Sequence, residues 1–199
     1  DVYKRQVVEQ ASKALAGYEY ARALQLVESF FWSFTDDYVE LVKDRAYGAQ
    51  GPEQQASVHA ALATTLDALL RLFAPFIPFA TEEVWSWWRA GSVHRAPWPS
   101  AESLGQADQA DPEILTAVGV ALSGLRKSKS EAKVKQRTEV LSATITAPAA
   151  QVEQLQAGLG DLKAAGNARE LTVVEGETGD ALLLVGDVRL APPEETVQA

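Results

Sequence analysis

Residues 18–47 read YEYARALQLVESFFWSFTDDYVELVKDRAY, and the spacing of apolar residues in this stretch decides the fold class. Apolar and aromatic residues recur every three or four positions, which places them on one face of a helix. Gly17 and Gly48 bracket the stretch as helix breakers. Because the stretch is long for one straight helix, we expect a bend near Ser33–Asp36. The pattern predicts a core helix of a helical bundle.

Two more helices are predicted in the first hundred residues. Pro52 suits the first turn of a helix, where its missing N–H costs no hydrogen bond. The apolar stripe of that helix is Val58, Leu62, Leu66, Leu69 and Phe73. Pro75 and Pro78 end it, because neither ring donates the backbone bond that a helix needs. Thr81 is the predicted N-cap of a short following helix with an acidic first turn.

The second half of the chain has a different pattern. Residues 92–110 are rich in Pro, Ser and Gly, so we predict a helical bundle over 1–104 and a second domain over 105–199. The second domain has the predicted order α-β-α-β-β, which makes it a small α+β fold. Its predicted elements are a helix from Asp111 to about Lys133, a strand at Thr138–Thr146, a helix from Pro148 to Gly166, and strands at Glu170–Glu175 and Ala181–Leu190.

Composition excludes several kinds of chemistry. The 199 residues include 18 Lys and Arg against 27 Asp and Glu, a net charge of −9, and no Cys. The lack of Cys excludes disulfides, thiolate nucleophiles and Cys-based zinc sites. The two histidines, His59 and His94, lie in no catalytic or metal-binding motif, so we predict no catalytic residue and no metal site. No apolar run reaches the ~18–20 residues of a membrane helix, and we predict no membrane partner.

A basic cluster interrupts this acidic chain at residues 126–137. Its cations are opposed only by Glu131, and they are Arg126, Lys127, Lys129, Lys133, Lys135 and Arg137. A helix continuing through this window would place Arg126, Lys129 and Lys133 on one face. Such a face is suited to the phosphate backbone of a nucleic acid rather than to base edges.

Four segments resemble one family. Residues 31–43 (FWSFTDDYVELVK) resemble the Phe-Trp-x-x-Phe-x-Asp-x-Tyr-aliphatic-Glu stretch of valyl-tRNA synthetases. Residues 72–85 (LFAPFIPFATEEVW) are similar to the Pro-Phe-x-Pro-Phe-x-Thr-Glu-Glu-x-Trp signature of their anticodon-binding bundle, which isoleucyl enzymes share. Residues 92–99 (SVHRAPWP) and 128–140 (SKSEAKVKQRTEV) look valyl-like too, the latter closest to the actinobacterial form.

The resemblance implies the C-terminal, anticodon-binding part of a valine–tRNA ligase. It implies tRNA as a partner, with catalytic and editing domains elsewhere on the same polypeptide. It also implies a monomeric, cytoplasmic parent that uses ATP and Mg²⁺, and no cofactor in this chain. The resemblance places the turn at Val39 beside the anticodon, and we expect Val39, Lys43 and Arg45 to face RNA. The basic cluster is then expected to dock on the tRNA backbone.

Four other interpretations compete with this one. The chain is alternatively an isoleucyl-type anticodon domain, or a helical protein-interaction module whose basic cluster is ordinary solvated surface. Val39 is alternatively a plain core residue. The string RKSKS at Arg126–Ser130 resembles the loop that holds ATP phosphates in class I synthetases. We reject an ATP site there, because the string continues a helix and the chain lacks the His-x-Gly-His motif that accompanies such a loop.

Overall fold

The chain forms two compact units in the computed structural model, which describes residues 2–104 and 111–192. The first unit consists of residues up to 39 together with 52–112, and the second of residues 40–51 together with those from 113 onward. The predicted boundary between residues 104 and 105 stands at the edge of residues 105–110, which lie outside the described part, and it stays a prediction. The structure also assigns 40–51 to the second unit, which the sequence pattern did not indicate.

The first unit is helical, as predicted. Its helices are α1 (Val2–Ala16), α2 (Tyr20–Trp32), α4 (Pro52–Phe73) and α5 (Pro78–Ser86). A π-helical segment at Ser33–Tyr38 joins α2 to α3 (Val39–Ala46), which begins in the first unit and continues in the second. This π-helical segment lies at the position where the sequence predicts a bend, near Ser33–Asp36. Within it, the Thr35 hydroxyl donates to the carbonyl of Phe31 at 3.0 Å.

The core of the first unit contains part of the predicted apolar stripes together with residues of α1, a helix that the sequence analysis did not predict; Leu66 of the predicted stripe is exposed. Val8 and Ala11 of α1, Val27 of α2, and Leu69 and Leu72 of α4 are buried together. The aromatic run around residue 31 lies against this core, with the rings of Phe31 and Phe73 5.7 Å apart in an edge-on arrangement. Trp32, by contrast, is half exposed.

The start of α5 differs from the prediction. The helix begins at Pro78, and its N-cap is Ile77. Thr81 is therefore not the N-cap; it lies inside the helix, where its hydroxyl donates to the carbonyls of Ile77 and Pro78, each at 3.1 Å. Pro78 suits the first turn of a helix, and it starts α5 about one turn before the start predicted from Thr81.

The second unit has the predicted order of helices and strands. Its elements after α3 are α6 (Glu113–Glu131), β1 (Val140–Ala147), α7 (Ala149–Ala157), α8 (Leu159–Gly166), β2 (Ala168–Glu175) and β3 (Leu184–Leu190). The strand order is β2-β1-β3, with β1 parallel to β2 and antiparallel to β3. The single helix predicted from Pro148 to Gly166 is two helices, α7 and α8, separated at Gly158. A Cβ at Gly158 would lie 2.5 Å from Val118, so glycine permits this close approach to α6.

The core of the second unit lies between its helices and the sheet. Leu122 and Leu125 of α6, Val140 and Ile145 of β1, and Leu162 of α8 are buried in it. Leu41 of α3 belongs to the same cluster. Burial of Leu41 explains physically why residues 40–51 belong to this unit.

By length and composition alone, one described helix, α4, is long and apolar enough to cross a membrane. Six of its residues are buried in the first unit, among them Leu69 and Leu72. Core helices of globular proteins meet the same criterion, and the predicted absence of a membrane partner stays a prediction.

The closeness of α6 to β3 gives a first test. A Cβ at Gly124 would lie 2.6 Å from Val185, whereas a Cβ at Gly119, also in α6, meets nothing within 4 Å. We expect Gly124→Ala to lower the free energy of unfolding of the second unit by about 1–3 kcal/mol, because α6 must move away from the sheet. The matched Gly119→Ala should raise it by about 0.5–1 kcal/mol through helix propensity.

Amide hydrogen exchange in β1 and β3 measures both changes, since it reports on the second unit alone. Equal effects of the two substitutions would show that the contact with Val185 does not limit the packing.

Candidate nucleic-acid interface

The basic cluster lies at the end of α6 and in the segment that follows it. We call residues 132–139, between α6 and β1, the basic loop. The side chains of Arg126, Lys127, Lys133, Lys135 and Arg137 are exposed. In the described part of the chain, no carboxylate forms an ion pair with Arg126, Lys133 or Lys135. Lys127 lies 3.9 Å from the exposed Glu131, a contact that contributes little. These five cations form an accessible basic surface.

The end of α6 sets the course of the basic loop. Lys133 has a φ of +55°, the left-handed conformation that follows many helix ends. Its N–H donates to the carbonyl of Ser130 at 3.0 Å, and the N–H of Val134 donates to the carbonyl of Lys129 at 3.1 Å. This pair of bonds is a Schellman motif. The prediction that Lys133 shares a helix face with Arg126 is therefore wrong, because the helix ends at Glu131.

Lys129 is the main correction to the predicted site. Its side chain is 2% exposed, and Nζ donates to the carbonyls of Gln136 at 2.9 Å and Gly166 at 2.8 Å. The ammonium therefore points into the second unit and is unavailable to a phosphate. Burial lowers the pKa of Lys129, and the charge of Arg126 adds to the effect. The sequence prediction followed its charge and its spacing from Arg126 and Lys133, whereas the structure places it on the buried face of α6 with Leu122 and Leu125.

Other side chains hold the same loop. The Nδ2 of Asn167 donates to the carbonyl of Arg137 at 2.8 Å. The Nε2 of Gln136 donates to the hydroxyl of Ser130 at 3.0 Å and to the carbonyl of Arg126 at 3.3 Å. The basic loop is thus tied both to α6 and to the residue that follows α8. Sequence reasoning missed Asn167 and Gln136, because neither belongs to a recognisable motif.

The three predicted RNA-facing residues of α3 have different environments. Val39 is half-buried. Lys43 is exposed, and its Nζ lies 3.1 Å from Glu40 Oε1 in an exposed pair. Arg45 is turned inward: its side chain is 21% exposed, and Nη2 lies 2.7 Å from Oδ2 of Asp161, whose side chain is 14% exposed. The expectation that Arg45 faces RNA is corrected accordingly, because a carboxylate already occupies its guanidinium.

The partner of Arg45 lies on α8. Asp161 Oδ1 accepts a second hydrogen bond, from Gln50 Nε2 at 3.2 Å. Burial raises the pKa of Asp161 above its usual value, although Arg45 and Gln50 oppose the change. Both oxygens of the carboxylate are thus bound by residues of the 40–51 segment. This pairing joins that segment to the rest of the second unit.

A cleft of about 730 Å³ lies beside this pair, between α3, α8 and β2. Its charged lining residues are three cations and three carboxylates: Lys43, Lys163, Arg169, Glu40, Asp44 and Glu139. Glu139 pairs with Arg169 at 2.9 Å. Because the charges balance, the cleft has no excess of cations for a phosphate chain, unlike the basic loop. Over the described ranges, no group of three or more His, Asp or Glu residues is arranged to hold a metal ion.

Comparison with known proteins shows which family this chain resembles. A model of the anticodon-binding domain of tRNA ligases matches residues 4–145. The chain is 50% identical to a valine–tRNA ligase of Thermobifida fusca over 191 residues, which are 96% of this chain and 21% of that protein. It is 50% identical to a valine–tRNA ligase of Bifidobacterium longum over 170 residues, 80% of this chain and 19% of that protein. A Cutibacterium acnes valine–tRNA ligase is 43% identical over 190 residues, 94% of this chain and 21% of that protein. The chain spans about a fifth of the length of these relatives.

The inward placement of Arg45 has a measurable consequence. We expect Arg45→Met to lower the free energy of unfolding of the second unit by about 2–3 kcal/mol, because it leaves the carboxylate of Asp161 buried without its cation. The double variant Arg45→Met with Asp161→Asn should recover more than half of that loss, since the uncompensated charge is gone.

The loss caused by Arg45→Met alone should shrink as the pH falls and Asp161 becomes protonated, because burial raises its pKa. Denaturant unfolding at several pH values, followed by amide exchange in α8, measures this. A loss that is independent of both pH and Asp161→Asn would contradict the pairing.

Proposed function

The chain belongs to the family of tRNA-ligase anticodon-binding domains, and we propose that it binds tRNA for valine and positions it for ATP-dependent aminoacylation. The observation that carries this proposal is the family match over residues 4–145. The match includes the whole of the basic loop and of α3. The catalytic step belongs to other parts of a longer polypeptide, since the relatives are about five times as long.

Valine is favoured over isoleucine by the relatives. Those from Thermobifida fusca, Bifidobacterium longum and Cutibacterium acnes are all valine–tRNA ligases, at 43–50% identity. They agree with the stretch at residues 31–43, which favours the valyl type, whereas the signature at 72–85 is shared between both types. We therefore propose valine as the amino acid of the parent enzyme.

The remaining features of the parent are also proposals. We propose that ATP and Mg²⁺ are used by a catalytic domain on the same polypeptide, which also has an editing domain and acts as a cytoplasmic monomer. The residues of RKSKS do not fit an ATP site in this chain. They form the last turns of α6, and Lys129 within them is buried with its ammonium already bound by two carbonyls.

The basic loop is the part of the chain best suited to the tRNA backbone. Its cations are exposed in an acidic chain, and two of them, Lys133 and Lys135, have no carboxylate partner in the described residues. A cation that neutralises a phosphate releases a counterion, so each such contact makes binding more salt-dependent. A protein-interaction module with no RNA role would show neither binding nor salt dependence.

We expect the double variant Lys133→Ala with Lys135→Ala to bind tRNA more weakly and with less salt dependence. The slope of log K against log salt should fall by about 1.4–1.8, since each lost phosphate contact removes about 0.7–0.9. Lys13→Ala with Arg95→Ala is the matched control, because it removes two exposed cations from the first unit. Fluorescence anisotropy with labelled tRNA over a range of salt concentrations measures both. An unchanged slope in the Lys133 and Lys135 variant would remove the loop from the interface.

Lys43 supplies an independent test of the α3 surface. Its pair with Glu40 is exposed and worth a few tenths of a kcal/mol, so a phosphate can replace the carboxylate at small cost. In a valine–tRNA ligase carrying this segment, we expect Lys43→Glu to lower kcat/KM for tRNA about tenfold, or 1.4 kcal/mol, through repulsion of the backbone. Lys43→Gln, which removes the charge without reversing it, should have a smaller effect. Wild-type aminoacylation by the Lys43→Glu enzyme would show that this surface of α3 does not contact tRNA.

A further inference from the structure

The buried ammonium of Lys129 touches two backbone segments that are distant in sequence. One acceptor is the carbonyl of Gln136 in the middle of the basic loop, and the other is the carbonyl of Gly166, the last residue of α8. The last carbonyls of a helix lack partners within it and carry its negative dipole end. The side chain of Lys129 therefore caps α8 and fixes the basic loop at the same time.

The position of the ammonium excludes a direct role in phosphate binding. Lys129 has the largest fully buried side chain among the described residues. Both of its described hydrogen bonds go to main-chain carbonyls. A phosphate reaching Nζ would have to displace those carbonyls. The buried helix-end carbonyl of Gly166 would then lose its donor, at a cost that a lysine on the surface does not incur.

The exposed cations depend on the geometry that Lys129 fixes. Lys135 precedes Gln136, the residue whose carbonyl Lys129 holds, and Arg137 follows it. Asn167 holds the next carbonyl, that of Arg137, at 2.8 Å. Two successive carbonyls of the loop are thus bound, one by the buried side chain of Lys129 and the other by the exposed side chain of Asn167. A loop ordered before binding loses less conformational entropy when it meets a ligand, which strengthens binding without adding contacts.

We propose that Lys129 is a positioning residue for tRNA binding: it orders the basic loop so that Lys133, Lys135 and Arg137 meet the phosphates, and makes no phosphate contact itself. This inference rests on the proposed function, because it takes the basic loop as the RNA-binding element. It gives the one lysine of the cluster that faces inward a role different from that of its exposed neighbours.

The two roles separate in a salt titration. A residue that binds a phosphate lowers both affinity and salt slope when it is removed, whereas one that only orders the loop lowers affinity at an unchanged slope. We expect Lys129→Met to weaken tRNA binding about tenfold with the wild-type slope, and to increase amide exchange in residues 132–139. Methionine keeps an unbranched apolar stem in the core and removes the two hydrogen bonds. Lys13→Met, an exposed lysine of the first unit, controls for the general loss of one positive charge.

Asn167→Gly tests the same idea without disturbing the core. Asn167 is exposed and has a φ of +46°, a conformation that glycine adopts readily, so the substitution removes only the hydrogen bond to the Arg137 carbonyl. We expect it to weaken binding several-fold, again at the wild-type slope. If Lys129→Met does not fold, as shown by lost amide protection in β1, Asn167→Gly decides the question.

The outcomes separate the inference from the proposed function. An unchanged slope in the Lys133→Ala and Lys135→Ala variant overturns the role of the loop, and the inference with it. A reduced slope there, together with wild-type affinity in both Asn167→Gly and a folded Lys129→Met, overturns the inference alone. A slope lowered by about one contact in Lys129→Met also overturns it, because Lys129 would then bind a phosphate directly.

Discussion

The constraint on which the second unit depends is that a buried ammonium needs acceptors wherever the fold places it. An uncompensated charge in the interior is costly, so the chain must bring polar groups to Lys129 Nζ. It does so with the carbonyls of Gln136 and Gly166. Because one carbonyl belongs to the loop after α6 and the other to the end of α8, satisfying a single cation sets the spacing of three segments. The burial of Lys129 and the path of the basic loop therefore depend on each other, because the buried ammonium binds a carbonyl of the loop.

Most of the helices and their order could be predicted from the sequence, because they depend on local signals, although α1 was not predicted. Apolar spacing predicted the long helical stretch from Tyr18 to Tyr47, and the order α-β-α-β-β was correct. The errors fall where tertiary contact overrides a local signal. Gly158 interrupts a predicted helix at the point where α6 approaches closely. A Cβ at this position would lie 2.5 Å from the side chain of Val118. Likewise, residues 40–51 continue the pattern of the bundle helix, yet Leu41 is buried in the second unit. Periodicity identifies the apolar face of a helix and carries no information about which core will cover it.

The candidate site could be predicted only in part, for the same reason. The cluster of cations at 126–137 is a property of composition, and the exposure of five of its members follows the ordinary preference of charged residues for solvent. Two members depart from the prediction: Lys133, which is exposed but lies beyond the end of the helix, and Lys129, which is buried. Lys133 takes a left-handed conformation, which residues other than glycine and asparagine adopt infrequently. The helix therefore ends at Glu131, earlier than the charge spacing indicated. Lys129 and Arg45 are held by Gly166 and Asp161, and partners so far along the chain leave no local trace.

Net charge is a poor guide to the partners of such a chain. The overall value of −9 describes a molecule that repels polyanions at long range, yet charges farther apart than about 8 Å are largely screened at physiological salt. Within that distance the loop acts through its own cations, and distant carboxylates contribute little. If the basic loop binds RNA as proposed, the acidic remainder disfavours RNA elsewhere on the surface and confines the attraction to this small region. A rigid loop benefits most from such confinement, because fixed cations match the spacing of phosphates in one orientation only. On the proposed function, the ordering of the loop by a buried lysine and the exposure of the other lysines on an acidic chain would both restrict RNA to one site and one orientation.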